Sequence, residues 1–347
     1  MGRYLNAVSA GFDNNNSLTS STVRDAVAAQ AIAGNYEGIE FDPGEYNFSD
    51  GGWTIPAALS LVSPRPNGAR FNIGGELLLQ PRVSVTEFKR AFFDISLWCT
   101  NPANDTHGLR VQLTAPLALL ARSQFERVEV RGFGKQGICL DNTINNPDGL
   151  FLLDLHNCIS DNGFKFIRIG DSIRLENSQA HSWTNPTLRT EISGVLLQNP
   201  DGSWPAHSAA HMSTIKNCSM TTRGGGILMT QCTGWVLDQV FFEHPGYAGG
   251  ALGTPLAQVE LGNCLETTIK HCAISVDPAA VAYNIIAYGA TDTLHILRNK
   301  YPNKGTAAHI YAPPTTNKIV VHQIDETYLY VPPHVVLQGT NSRVVTA

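Results

Sequence analysis

Four side chains that could act together in acid–base chemistry lie in two apolar stretches of the sequence. Asp154 and His156 are two residues apart, and so are Arg174 and Glu176. Because side chains of a β-strand alternate between its two faces, each pair lies on one face of its strand. If the two strands are neighbours, that face carries two carboxylates, an imidazole and a guanidinium. We predict that these four residues form a catalytic site.

Two ways of cleaving a polysaccharide fit this set, and the residues alone leave both open. A glycoside hydrolase needs one protonated and one ionised carboxyl group, which Asp154 and Glu176 could supply. A polysaccharide lyase would use Arg174 to neutralise a uronate carboxylate and His156 to remove the adjacent proton. A third interpretation involves no chemistry, because mixed charges on an exposed sheet often form only weak ion pairs.

A second group of polar and aromatic residues begins at position 238, in the segment DQVFFEHPGY. Sugar-binding grooves place carboxylates beside aromatic rings, since a ring stacks on a pyranose while the charges bind its hydroxyl groups. The competing interpretation buries Phe241 or Phe242 in the core. The residues predicted to bind substrate are Asp238, Phe242, Glu243, His244 and, in an earlier loop, Trp183.

The elements that must position these residues repeat along the chain. Each repeat is a short apolar strand, a polar bend and a second apolar strand, with clear examples beginning at 226, 259, 284 and 309. Repeats of this kind stack as the coils of a solenoid. The composition agrees, because 31 Gly, 19 Pro and only 15% charged residues suit short strands and many turns. The pattern predicts an all-β fold.

Aligning the repeats gives a register for the coils. Coil starts are predicted at Gly108, Gly137, Gly163, Gly194, Gly226, Gln258, Asn284 and Ala308. The second strands align at Phe125, Leu155, Leu175, Ile215, Leu237, Ile269, Leu297 and Val321, so the residue after each of these points outward. Two positions further on, an amide recurs at Asn157, Asn177, Asn217, Gln239, Asn299 and Gln323. We interpret these amides as an inward ladder of hydrogen bonds; a row of ligands is the alternative.

A short helix precedes the first coils. Residues 1–20 are polar and are predicted to be a lead-in. Thr22 and Asp25 resemble a capping box, and Gly34 is a typical stop, so a helix is predicted over 21–34. A helix at this place would cover the open strand edges of the first coil.

The junction between this helix and the first coil carries a family resemblance. The sequence AVAAQAIAG at 26–34 runs into IEFDPGEY at 39–46. This opening resembles that of the pectate-lyase-like (pectin lyase-like) β-helix superfamily, most of all its bacteriophage tailspike and depolymerase members. The resemblance implies a right-handed parallel β-helix, with coils from about 38 to 330, in one domain over 21–335 that is followed by a tail at 336–347. It also implies a homotrimer. The signature motifs of polygalacturonases and calcium-dependent pectate lyases are missing, so no catalytic residue transfers by motif.

Bulk properties exclude several classes of function. The net charge of -5, with scattered Lys and Arg, argues against nucleic-acid binding. No apolar run approaches the roughly 20 residues that span a bilayer, and the N-terminus lacks the apolar core of a signal peptide. The seven cysteines stand singly, without the spacing of a zinc site, and are predicted to be buried free thiols. We predict no metal and no other cofactor.

Three functions remain open at this point. The first is a tailspike-like virion protein that binds a host surface polysaccharide and can depolymerise it. The second is a non-catalytic virion decoration or adsorption spike, in contact with other virion proteins. The third is a bacterial polysaccharide lyase, hydrolase or epimerase, which the missing signal peptide disfavours.

Overall fold

The chain winds into coils whose strands build three parallel sheets. The computed structural model describes residues 3–345 except 57–58, 67, 82–85, 88–90, 102, 104, 117, 147–148, 183, 186, 196–211, 244–256, 277–280, 303–306 and 323–334. Sheets A, B and C have 15, 10 and 11 strands among the described residues. A complete coil passes through A, B and C in turn, so the next strand of each sheet belongs to the next coil.

The strands have the following bounds. Sheet A contains Tyr4–Asn6, Gly38–Glu40, Ser60–Val62, Thr86–Glu87, Phe92–Phe93, Leu120–Ala121, Gln124–Glu126, Leu150–His156, Asp171–Glu176, Thr214–Lys216, Val236–Asp238, Thr268–Lys270, Asp292–Leu297, Asn317–His322 and Arg343–Val345. Sheet B contains Asn15–Leu18, Gly44–Phe48, Ala69–Ile73, Ile95–Cys99, Glu129–Arg131, Ile159–Asp161, Gln179–His181, Ser219–Thr221, Phe241–Glu243 and Ala273–Ser275. Sheet C contains Trp53–Pro56, Leu77–Gln80, Leu109–Gln112, Ile138–Asp141, Phe164–Ile169, Thr190–Gly194, Ile227–Thr230, Ala257–Gly262, Tyr283–Tyr288, Ala308–Ala312 and Val335–Leu337.

One α-helix, α1 (Ser21–Ala33), packs at the N-terminal end of the coils. Its N-cap is Ser20, whose side chain accepts a hydrogen bond from the Val23 amide at 3.5 Å, so the predicted capping box at Thr22 and Asp25 is wrong. Thr22 already lies inside the first turn, where its hydroxyl no longer meets the unpaired amides. No helix in the described part of the chain is long and apolar enough to cross a membrane.

A continuous apolar core runs through the coils. Inward side chains such as Phe125, Leu155 and Leu175 stack from one coil to the next and are almost completely buried. Cys158, Cys218 and Cys272 lie in this core, and burial raises the pKa of each thiol to about 12. All seven cysteines are free and only Cys99 is half-buried, which agrees with the prediction for thiols that act as small apolar side chains.

The predicted register holds for most of sheet A. Phe125, Leu155, Leu175, Ile215, Leu237 and Ile269 are consecutive partners, as aligned from the sequence. The next partner is Ile296, so the alignment at Leu297 is wrong by one residue. Both residues are apolar, and hydrophobicity alone therefore does not set the register there. The slip moves Leu297 to the outward position and Arg298 to the bend.

The amides at the bend do not form the predicted inward ladder. Asn157, Asn177 and Asn217 are exposed, and their backbone φ angles of 54°, 51° and 51° are left-handed. The same bend, which we call the corner, is left-handed in other coils as well. Its φ lies between 51° and 56° at Arg127, Gln239, His271 and Arg298. Asparagine tolerates this conformation better than most residues, so the backbone explains why it recurs.

Three other boundaries differ from those predicted. Gly194 ends a sheet C strand instead of starting a coil, because Thr190 and Ile192 supply the inward positions and a polar Thr hides the alternation. The polar lead-in carries the strands Tyr4–Asn6 and Asn15–Leu18, and the tail carries Arg343–Val345. Both segments thus add strands to the same sheets.

The left-handed backbone at the bend predicts that two substitutions of Asn217 differ in their effect on stability. Asn217→Leu should lower the free energy of unfolding by about 1 kcal/mol, since a branched apolar residue adopts the left-handed conformation poorly. Asn217→Gly should cost less, because glycine adopts it freely. The outward neighbour serves as control, and Lys216→Ala should change stability by under about 0.5 kcal/mol. Urea or thermal denaturation measures all three; equal losses for Leu and Gly would contradict the strained corner.

Candidate active site

The four residues predicted as catalytic lie side by side on the outer face of sheet A. Asp154 is the strand partner of Arg174, and His156 is the partner of Glu176. On the other side of this strand, Glu126 pairs with His156. The prediction that the two pairs share one face of neighbouring strands is therefore correct in geometry. Their catalytic role stays a prediction.

These residues line a cleft of about 260 Å³. Glu126 and Gln124 line it as well, and the predicted site includes neither of them. The signal was present, since Glu126 occupies the outward position next to Phe125 in the predicted register. The predicted site covers two strands, whereas the cleft spans four, from Phe92–Phe93 to Asp171–Glu176.

His156 is hydrogen-bonded at both ring nitrogens. Its Nδ1 lies 3.0 Å from Glu126 Oε2, and its Nε2 lies 2.7 Å from the amide nitrogen of Asn177. An ionised carboxylate can only accept, so the Glu126 contact favours a proton on Nδ1, with Asn177 donating to Nε2; the side-chain amide nitrogen of Asn157 also lies 3.1 Å from Nδ1. The Glu126 contact thus favours the tautomer of His156 in which the Nε2 lone pair accepts from Asn177.

Glu126 is in turn fixed by two residues that the prediction did not include. Arg127 donates to Glu126 Oε1 at 2.5 Å and also binds Asp94, through Nε to Oδ1 at 2.5 Å and Nη2 to Oδ2 at 2.9 Å. Asp94 is 5% exposed, so one end of this series of side-chain contacts is anchored in the protein. Two-point binding of this kind fixes side-chain orientation as well as charge. The order of contacts runs from Asp94 through Arg127 and Glu126 to His156.

Asp154 and Arg174 are held much less tightly. Their closest approach, from Arg174 Nε to Asp154 Oδ1, is 3.9 Å, which is beyond hydrogen-bonding distance. Burial raises the pKa of the Asp154 carboxyl; Arg174 and His156 oppose this effect and Glu176 adds to it. A carboxyl with a raised pKa stays protonated to higher pH, as a general acid requires. The cleft therefore combines a protonatable Asp154 with a second carboxyl group, Glu176.

Only some of the residues predicted to bind substrate lie on the surface of the protein. Phe242 is completely buried and belongs to the core, so its assignment to substrate binding is wrong; Phe241, the neighbour on the other face of the strand, is 42% exposed. Alternation along Phe241–Glu243 decides which ring faces inward, and two adjacent Phe residues leave that choice open in the sequence. Glu243 is exposed on the same face as Phe241. His244 and Trp183 lie outside the described residues.

Asp238 is neutralised by its neighbours. It accepts a hydrogen bond from His271 Nδ1 at 3.0 Å, and the ammonium of Lys270 lies 3.4 Å from its other oxygen. Burial alone would raise the pKa of Asp238, but the hydrogen bonds from His271 and Lys270 outweigh it and lower the pKa. Asp238 is thus a fixed anion and is less suited than Asp154 to donate a proton. Its two-strand separation from Glu176 corresponds to about 10 Å.

Two further features complete the outer surface. A smaller cleft of about 220 Å³ lies on sheet C beside the ion pair between Lys165 and Glu191, whose charged atoms are 2.9 Å apart. Within the ranges that the structure describes, no three His, Cys, Asp or Glu residues are grouped so that they could hold a metal ion.

Comparison with known proteins addresses the fold. A scan against models of protein families finds no match, and a search of curated proteins finds none either. Among solved structures, the Streptococcus pneumoniae surface protein and adhesin PfbA matches with a TM-score of 0.55 and 11% identity, over 99% of this chain and 98% of that chain.

Two more structures match in the same way. The A-module of the Azotobacter vinelandii mannuronan C-5 epimerase AlgE6 gives a TM-score of 0.52 and 14% identity, over 99% of this chain and 87% of that chain. An N-terminal fragment of gene product 12 of bacteriophage Phi29 gives a TM-score of 0.50 and 13% identity, over 98% of this chain and 71% of that chain. The chain has the parallel β-helix fold. The predicted fold class, an all-β right-handed parallel β-helix with a short capping helix, is confirmed. At these identities the likeness concerns the fold and not the activity.

Proposed function

We propose that this β-helix protein binds a host surface polysaccharide in the sheet A cleft and hydrolyses it. The observation that carries the proposal is the cleft itself, where a carboxyl group with a raised pKa, Asp154, lies beside a second one, Glu176. Strands hold both groups, and catalytic geometry needs such rigid support.

The proposed reaction assigns one role to each carboxyl group. Asp154 donates its proton to the glycosidic oxygen as the bond to the anomeric carbon breaks, and Glu176 takes a proton from the attacking water. The two residues are diagonal neighbours on adjacent strands, so their Cα atoms are about 8 Å apart. In the proposed inverting reaction the two carboxyl groups would lie roughly 6.5–9.5 Å apart when substrate is bound, which leaves room for the water molecule.

Hydrolysis is favoured over a lyase reaction by the state of His156. A lyase base must use a free lone pair, and the Nε2 lone pair of His156 already accepts from Asn177 at 2.7 Å. His156 is then a positioning residue that Glu126 keeps in one tautomer. Elimination remains an outcome that the assay below detects.

The biological setting belongs to the same proposal. The fold is shared with a bacteriophage gene product and with proteins named as a polysaccharide epimerase and a surface adhesin. With the tailspike-like opening of the sequence, we extend the proposal to a virion protein that acts as a homotrimer and contacts other virion proteins. A mass near the 37.6 kDa of one chain in light scattering would exclude the trimer.

A non-catalytic adsorption spike is the second candidate. The contact of Glu126 with His156 recurs away from the cleft, where Asp238 binds His271 at the same 3.0 Å. Carboxylate–histidine contacts on this face can therefore be purely structural.

Incubation with purified capsular polysaccharides and lipopolysaccharide glycans tests the two candidates. Hydrolysis releases reducing ends without absorbance near 235 nm, whereas elimination creates an unsaturated product that absorbs there. Binding without either signal would establish the adsorption spike and overturn the hydrolase. Absence of both binding and cleavage across the panel would overturn the polysaccharide function.

A further inference from the structure

Arg174 differs from the other ion-paired arginines that the structure describes. Its side chain is 65% exposed and its nearest carboxylate oxygen is 3.9 Å away. By contrast, the other ion-paired arginines approach a carboxylate within 3.2 Å and have side chains no more than 37% exposed; they are Arg24, Arg70, Arg110, Arg127, Arg131 and Arg189. The guanidinium of Arg174 thus lines the cleft without being neutralised at contact distance.

The partner of Arg174 is also a weak competitor for that charge. Asp154 is the only carboxylate within 4 Å of Arg174 among the described residues, and the contact is too long for a hydrogen bond. A guanidinium presents its N–H groups as a flat fork that matches a carboxylate at two points. The fork of Arg174 is therefore available to an anionic group that enters the cleft.

We infer that the sheet A cleft selects an acidic sugar unit, whose carboxylate Arg174 binds at two points. The inference rests on the proposed polysaccharide function and adds the substrate class. Asp154, His156, Arg174 and Glu176 occupy the four corners of a rectangle on two adjacent strands, and Asp154 and Glu176 lie at diagonally opposite corners. A sugar carboxylate bound to Arg174 therefore leaves the carboxyl groups of Asp154 and Glu176 free to face the rest of the sugar. Arg174 is then the residue that sets specificity.

A matched control lies one strand away. Lys216 is the sheet A partner of Glu176, is exposed, and does not line the cleft. Its ammonium contributes to the general positive potential of the face but not to the cleft. A site-specific effect of Arg174 should therefore be absent at Lys216, whereas a diffuse electrostatic effect would appear at both.

The experiment compares acidic oligosaccharides with their own neutral forms. Oligomers of polygalacturonate, polymannuronate and an acidic capsular polysaccharide are labelled at the reducing end. Half of each is treated with carbodiimide and borohydride, which converts the carboxylate to a primary alcohol and leaves the ring unchanged. Affinities are measured with the Glu176→Gln chain so that the probe is not consumed.

We expect the best acidic probe to bind at least about tenfold more tightly than its reduced form, as a charged two-point contact allows. Arg174→Met should bring this ratio close to one, and Arg174→Lys should restore part of it because an ammonium binds as a point charge. Lys216→Met should leave the ratio unchanged. Unaltered melting temperatures show that each variant is folded.

The contrary outcomes are distinct. Equal binding of the acidic and reduced probes, or tighter binding of neutral glycans, overturns the acidic substrate class while the polysaccharide function stands. An equal loss of the ratio in Lys216→Met and Arg174→Met overturns the assignment to Arg174. A chain that binds no acidic, reduced or neutral glycan overturns the proposed function, and the inference falls with it.

Discussion

Asp154→Asn and Glu176→Gln are each expected to lower the rate of glycan cleavage at least about a hundredfold, with the fold intact. Each change removes a proton donor or acceptor and keeps the shape of the side chain. Both positions are on the outer face of sheet A and are not in the core, so stability should be little affected. Initial rates of reducing-end release, together with a thermal melt of each variant, provide the measurement.

Asp238→Asn and Glu243→Gln supply the matched comparison. They are carboxylates of the same β-helix, but Asp238 is bound by His271 and Lys270, and Glu243 lies on sheet B. If they contribute, they should change the affinity and leave the rate at saturating substrate unchanged. Full activity in both cleft variants, with loss in this pair, would move the active site to Asp238 and Glu243.

The dependence of the cleavage rate on pH should show whether Asp154 acts in its protonated form. Because burial raises the pKa of this carboxyl group, its protonated form persists above the usual range of an aspartic acid. The general acid is therefore present at low pH and is lost as the pH rises through the raised pKa. The falling limb of the rate at higher pH should disappear in Asp154→Asn. A wild-type limb that stays in this variant would belong to another group.

The sequence predicted the coils well because each coil repeats the same physical requirement. An apolar residue must point inward at every strand, and the positions of Phe125, Leu155 and Leu175 follow from that requirement alone. The register failed at Leu297, where two neighbouring apolar residues satisfy it equally. Periodicity therefore predicts the existence of a strand well. It predicts less well which of two adjacent apolar residues faces the core.

The bend amides show a different limit. Their recurrence was visible in the sequence, but its cause was taken to be side-chain bonding, whereas the backbone of Asn157, Asn177 and Asn217 is left-handed. Conformational tolerance and side-chain hydrogen bonding favour the same residue type, so composition at a corner does not separate them. The contacts that do form, such as Asn177 to His156, join the corner to the outward column.

The candidate site was predictable to the extent that strand alternation determines it. Asp154, His156, Arg174 and Glu176 share a face because they are two residues apart on neighbouring strands. The links from Asp94 through Arg127 to Glu126 depend on where long side chains extend at the corner, which no sequence period encodes. Phe242 was misassigned for the same reason as Leu297, since Phe241 is an equally apolar neighbour.

Arg24→Met should produce the largest loss of stability among the changes considered, about 2 kcal/mol. Arg24 is a completely buried residue in the first turn of α1. Its guanidinium binds Asp50 at 2.6 Å, the Thr19 carbonyl at 2.7 Å and the Gly52 carbonyl at 3.0 Å. Methionine keeps most of the volume and removes all three contacts. The buried Thr19 carbonyl and the part-buried Gly52 contact then lose their donor, and Asp50 keeps only the hydrogen bond from the Ser21 amide, so each lost contact costs free energy.

The loss should begin at the N-terminal end of the coils, because Arg24 joins the capping helix to the segments on either side of it. Amide hydrogen exchange in α1 should accelerate before exchange in the later coils does. Asp25→Ala, one residue along on the exposed side of the helix, is the control and should change stability by under about 0.5 kcal/mol. Similar denaturation curves for Arg24→Met and Asp25→Ala would show that the cap does not depend on the buried guanidinium.

The ion pair between Arg24 and Asp50 also predicts how low pH changes the stability of the capping helix α1. Burial would raise the pKa of Asp50, but hydrogen bonds from Arg24 and the Ser21 amide outweigh it, so the pKa lies below its ordinary value of 3.8. A carboxyl group with a lowered folded-state pKa contributes stability above its unfolded pKa and loses it as the pH falls through the folded value. The contribution of Asp50 to the stability of the cap should therefore be fully present above the ordinary pKa and be lost as the pH falls through the lowered value. In Arg24→Met this acid-dependent part of the stability should shrink, since the group that lowers the pKa of Asp50 is gone.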